Sequence, residues 1–166
     1  MIATLSRRAL IAALLSVAAL TPAISSALAQ ALETFKNDKL AIVTAKGRQD
    51  FKVELALTDR QMMQGLMFRK TLAPDAGMLF DYKTPEMMTM WMKNTLIPLD
   101  MVFIGADGKV LRIAERTVPM SEELISSGVP ARAVLELNGG TAARLGIKAG
   151  DQVLSPELGI PLDRKS

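Results

Sequence analysis

The sequence contains neither cysteine nor histidine. Without a thiol or an imidazole there can be no disulfide, no cysteine nucleophile, no Ser-His-Asp triad and no thiolate or imidazole zinc site. The same lack removes the lipid-bearing cysteine by which an exported lipoprotein is anchored. Aromatic residues make up 4% of the chain, and no basic stripe with interleaved aromatics occurs, so nucleic acid is not expected as a partner. What is present is 49% apolar and 22% charged residues, the balance of a chain that builds a packed core.

The N-terminus has the layout of a cleavable signal peptide over residues 1–29. Arg7 and Arg8 are followed by an apolar run over residues 9–20, and the small residues Ala27 and Ala29 precede Gln30. Cleavage is expected after Ala29, which places the mature chain in the periplasm. A membrane anchor would need about 20 unbroken apolar residues, and here Thr21-Pro22 and Ser25-Ser26 interrupt the run. No membrane span is therefore expected after leader cleavage. The paired arginines also fit a twin-arginine leader beside the general secretory one. Loss of the leader removes two of 20 basic residues and none of the 17 acidic ones, leaving a nearly neutral mature chain, expected to be a monomer.

Residues 30–39 lack periodicity and read as a lead-in segment, with a single β-rich domain over residues 40–155 and a loose tail over 156–166. Phe51, Val53, Leu55 and Leu57 alternate with Lys52 and Glu54, the period of a half-buried strand. Thr58 and Gln61 have capping-box spacing for a helix that Gly65 ends or bends. Short apolar runs at 78–80 and 88–92, punctuated by Pro74, Gly77 and Pro85, read as separate strands. A hairpin is expected from 99–104 and 110–114 around Asp107-Gly108, since Asp-Gly supplies the positive φ angles of tight turns. Ser121 is placed as the cap of a short helix over 121–127, and 133–137 reads as a strand. A helical turn over 141–145 ends at Gly146, and 152–154 closes the domain. The sum is a mainly β fold, a compact β-sandwich or partly open barrel with one or two short helices.

Six stretches carry a resemblance to a known family. They are Gly65-Leu66-Met67-Phe68-Arg69, Gly77-Met78-Leu79-Phe80, Trp91-Met92-Lys93-Asn94-Thr95, Ile97-Pro98-Leu99-Asp100, Leu135-Glu136-Leu137 and Gly150-Asp151. Through them the chain, from about Phe51 to Leu154, resembles the domain of unknown function one-nine-two. The resemblance implies a compact, mostly β, sandwich-like fold in small proteins that often carry an export leader. It implies no activity and supplies no catalytic residues.

Three constellations could carry function. Trp91, Lys93, Asn94, Thr95 and Asp100 form a polar cluster between two apolar strands, with Arg69 as a further charged candidate. Trp91 could stack on a flat ligand and Lys93 hold an anion, while Asn94 and Thr95 orient it; alternatively these side chains cap turns. Arg69, Lys93, Asp100 and Glu136 are charges beside apolar residues and are expected to pair, although Asp100 and Glu136 facing one another would suit carboxylate hydrolysis. Met88, Met90 and Met92 share one strand face, about 6.6 Å between successive members, and offer soft thioethers for Cu(I), or simply fill the core. The sequence thus points to a non-catalytic binding or accessory protein of the cell envelope, without a cofactor, taking a small ligand or envelope component. A Cu(I)-handling protein and a carboxylate-dependent hydrolase are its alternatives.

Overall fold

The computed structural model describes residues 32–164, so the expected signal peptide and its cleavage point lie outside the described residues. The alternation after Phe51 folds as expected. Phe51, Val53 and Leu55 are buried on strand β2 (Gly47–Ala56), with Lys52 exposed between them. Its partner β1 (Lys36–Thr44) pairs with it along its length, from Lys36 opposite Leu55 to Thr44 opposite Gly47. The first strand therefore begins before the expected domain start at Leu40, and part of the lead-in segment is strand.

Helix α1 (Asp59–Gln64) opens with both halves of the capping box. The Thr58 hydroxyl accepts from Gln61 N at 3.3 Å, and Gln61 Oε1 accepts from Thr58 N at 3.2 Å. Gly65 ends the helix at φ 47°. The chain then enters β3 (Ala76–Met90), which runs parallel to β2, so residues 57–75 form the crossover that a parallel pair requires. The two short strands expected at 78–80 and 88–92 are one long strand whose register against β6 shifts between Asp81 and Glu86 and again between Met87 and Thr89. Pro85 falls inside the first shift, where no ladder bond asks for its missing N–H.

The expected hairpin is β4 (Leu99–Ile104) and β5 (Val110–Ala114). The helix expected over 121–127 does not form. The Ser121 hydroxyl accepts from Glu123 N at 3.1 Å, a two-residue turn, and the chain then extends into β6 (Ile125–Asn138). Helix α2 (Thr141–Leu145) ends at Gly146 in the left-handed region, and β7 (Gln152–Leu154) completes the set.

The seven strands form one sheet in the order β5-β4-β6-β3-β2-β1-β7. Its two edges meet at one corner. Val110 N donates to Asp151 O at 2.9 Å, Gly150 N to Val110 O at 2.8 Å and Val153 N to Gly108 O at 2.8 Å. The architecture is thus a curled half-barrel, the second of the two forms expected. One apolar layer holds Leu40, Ile42, Val53, Leu79, Val102, Leu135 and Leu137. Met78, Phe80, Met101, Phe103 and Val134 form the other, with Leu66 from beyond α1 packed on them. The tail expected to be loose joins the first layer: Leu158 and Ile160 are buried there, and Ser155 bridges back to Ile160.

The edge closure rests on Gly108, at φ 80°, where an added Cβ would stand 2.8 Å from Val153 O and 2.3 Å from Ile160 Cδ1. Gly108→Ala is expected to cost roughly 1–3 kcal/mol in urea unfolding. An unchanged midpoint would mean that the corner opens without consequence.

Candidate functional site

The strand period places the site. On β6, Leu135 and Leu137 face the first apolar layer, so Glu136 faces the second, opposite Met78 of β3 and Met101 of β4. It is 4% exposed and forms no hydrogen bond or ion pair among the described residues. Its carboxyl lies against a cleft of about 90 Å³ bordered by Met62, Met67, Tyr82, Met90, Trp91 and Thr95.

Each wall is held locally. Gly65 lets the chain leave α1 with its Cα against Phe80, where a Cβ would meet the ring at 3.0 Å. Phe68 N then donates to Asn94 O at 2.9 Å, fastening the Met67 wall to the segment that follows β3. That segment is a turn: Thr95 N donates to Met92 O at 3.0 Å, with Asn94 at φ 54°. Tyr82 O–H donates to Met90 Sδ at 3.7 Å, and Asn94 Nδ2 to Met67 Sδ at 3.8 Å.

Burial pushes the Glu136 carboxyl up to about 8, so at neutral pH it is a protonated acid able to donate as well as accept. Tyr82 is raised too, first by burial and then by Glu136 and Glu86. The cleft thus offers one neutral acid, hydroxyls on Tyr82 and Thr95, and thioethers from two sides.

Of the residues picked from sequence, the structure brings Trp91, Thr95, Met90 and Glu136 to this cleft. Trp91 is 40% exposed at its border, and Lys93 Nζ stands 5.1 Å from the Trp91 ring while lying 3.6 Å from Glu122. Asn94 holds the turn. Arg69 is elsewhere, paired with Glu54 and over the Phe35 ring at 5.7 Å.

Asp100 belongs to a different assembly. Register with Leu137 puts it on the face opposite Glu136, so the two carboxylates neither pair nor flank a common cleft. Its oxygens accept from Arg116 N at 2.8 Å, Gly140 N at 2.9 Å and Ala142 N at 2.7 Å, capping α2 from outside the helix. The expected mutual pairing of Arg69, Lys93, Asp100 and Glu136 is therefore corrected. Two of them pair with other residues, one caps, and Glu136 has no partner among the described residues.

Met88, Met90 and Met92 are all buried in the second layer, as their alternation required. They do not share a cavity. Met90 borders the Glu136 cleft, while Met92, whose sulfur accepts from Thr117 Oγ1 at 3.0 Å, borders a separate groove beside β5. That groove is larger, about 550 Å³, but its charged residues Arg112, Glu115, Arg116 and Glu123 are solvated, and buried Thr117 is already bonded to Leu99 O at 2.9 Å. The smaller cleft, with an acid that has no protein partner among the described residues, is the better candidate. Sequence reasoning missed Met62, Met67 and Tyr82. The first two lay in view as part of the methionine-rich stretch, but only the crossover carries them to β3.

The family described as DUF192, Uncharacterized ACR, matches residues 41–155. No curated protein matches the chain. Among solved structures, a candidate transcription regulator from Sinorhizobium meliloti is 46% identical with a TM-score of 0.73, covering 75% of this chain and 97% of its own. A protein of unknown function from Novosphingobium aromaticivorans is 45% identical with a TM-score of 0.70, covering 72% of this chain and 85% of its own. Sequence, fold and relatives agree, and this chain belongs to the DUF192 family.

Proposed function

We propose that the protein is a non-catalytic binding domain of the cell envelope whose site is the cleft above Glu136. The observation that carries this reading is the buried, unpartnered Glu136 carboxyl lining a cavity whose other walls come from three separate segments. A carboxyl at a cleft with no protein partner among the described residues is free to bond a ligand there. The envelope location rests on the signal peptide expected from sequence over residues 1–29. Hydrolysis by paired carboxylates is disfavoured, because Asp100 is engaged on the other face of the sheet. Among the described residues the helices have 6 and 5 residues, short for filling a DNA groove, so the description of the Sinorhizobium relative gains no support from this chain. No helix among the described residues is long and apolar enough to cross a membrane.

Trp91 is the sole tryptophan and borders the cleft, so its emission reports occupancy. A panel of small amines, amides, alcohols and metal ions is expected to contain at least one member that shifts this emission saturably. Thr89→Phe, at an exposed position bordering the cleft, should abolish the shift without changing the melting temperature. Saturable shifts that survive Thr89→Phe would place the site elsewhere.

A further inference from the structure

Methionine is used differently around this cleft than in the rest of the domain. Nine of the eleven methionines fall between residues 62 and 101. Met78, Met88, Met92 and Met101 are buried in the second layer, where flexible thioethers fill irregular space. Core filling accounts only in part for Met62, which packs against that layer while bordering the cleft, and not for Met63 and Met67. These come from α1 and the turn after it, Met62 and Met67 half-buried and Met63 68% exposed, and all three border the Glu136 cleft. Met90 meets them from β3. Apolar side chains left in water forgo about 25 cal/mol per Å² of burial, and here they do so around one polar cavity.

Chemistry and size narrow the occupant. A thioether is a neutral, soft donor that suits Cu(I) and similar ions and is a poor ligand for hard cations. In a chain without cysteine or histidine it is the soft ligand at hand. The cleft, at about 90 Å³, is well below the roughly 300 Å³ of an ordinary small-molecule pocket. The Met67 and Met90 sulfurs are held only by long contacts, 3.8 Å from Asn94 Nδ2 and 3.7 Å from Tyr82 O–H, which a ligand can displace. Glu136 adds a carboxyl oxygen to the lining, and the Trp91 ring at the border offers a π face to a cation.

We infer that this cleft binds one soft monovalent metal ion, Cu(I) or Ag(I), through the thioethers of Met62, Met67 and Met90, with Met63 at its mouth. The inference rests on the cleft being a binding site and names its ligand class. It also re-sorts the methionines picked from sequence. Met90 stays, whereas Met88 and Met92 give way to the pair from the crossover.

The test is an anaerobic Cu(I) titration of the whole chain against a chromophoric chelator, repeated with Ag(I), which needs no protection from oxidation. One ion per chain is expected, with loss of Trp91 emission and shifts of the Met62, Met63, Met67 and Met90 methyl resonances. Met62→Leu/Met67→Leu, at half-buried positions that tolerate an apolar substitute, should weaken binding at least about tenfold. Met87→Leu, at an exposed position not bordering the cleft, should not. Binding that the double variant leaves unchanged, or shifts centred on Met87 or Met120, would overturn the inference. If neither ion binds but an organic ligand quenches Trp91 and Thr89→Phe prevents it, the ion is wrong and the site stands. If no probe responds to Thr89→Phe, both fall.

Discussion

Asp81→Asn is expected to lower stability to urea by about 3 kcal/mol at neutral pH, the low end for breaking a buried ion pair. Asp81 lies on β3 beside the first register shift, its side chain 0% exposed. Arg132 of β6 grips it in a fork, Nε to Oδ1 and Nη2 to Oδ2, both at 3.1 Å. Lys83 adds its backbone N to Oδ1 and its Nζ to Oδ2, both at 2.9 Å. Asparagine keeps one acceptor and loses the charge, stranding a guanidinium that is 19% exposed. Lys83 is 56% exposed and retains Glu157 at 2.6 Å, so its share of the loss is small. The same arginine donates to Leu158 O at 3.0 Å, so the fork also holds the C-terminal segment against the sheet.

The pH dependence follows from the same contacts. Burial works to raise the Asp81 carboxyl, but hydrogen bonds from Arg132 and Lys83 outweigh it and hold the group below its ordinary 3.8. In that window the unfolded chain binds more protons than the native one. The contribution is therefore complete above 3.8 and is lost as pH falls through the depressed native value. Asp81→Asn should remove this acid limb along with the neutral-pH stability. A loss below about 1 kcal/mol would show that the fork is worth no more than a surface pair.

Local signals were legible in the sequence where one stretch of chain decides its own conformation. The Thr58–Gln61 box, the Asp107-Gly108 turn and the alternation of Met88, Met90 and Met92 involve residues at most four apart. What was not legible depends on register between distant segments. The parity of Glu136 could be read from its neighbours, but its lack of a partner could not, because Asp100 had to be placed one register step away, beside Leu137. Ser121 carries a good cap residue and acids after it, yet its backbone carbonyl accepts from Met92 N at 2.9 Å and its hydroxyl serves a local turn. A tertiary bond overrode the propensity. The tail was expected to be loose, and packs because Leu158 and Ile160 find the space left where the sheet edges meet.

At the alkaline end the governing residue is Glu136, and its effect has the opposite sign. The native carboxyl holds its proton to about 8, whereas an unfolded glutamate releases it near 4.5. Between those values the native state binds more protons than the unfolded one, so stability falls as pH rises, by about 1.36 kcal/mol per pH unit when fully expressed. The whole penalty is on the order of 5 kcal/mol and is complete above pH 8. Glutamine resembles the protonated acid in shape and cannot ionise. Glu136→Gln should therefore match the parent near pH 4.5 and exceed it increasingly toward pH 8, most of the difference arising above pH 5. Urea midpoints of the two proteins across that range measure it directly. Parallel curves would mean that the carboxylate is readily hydrated or paired when ionised, which would weaken the case for the cleft above Glu136 as a binding site. Diverging curves would show that the fold tolerates a destabilising group where a small cleft opens beside it, which supports a role for Glu136 in what that cleft binds.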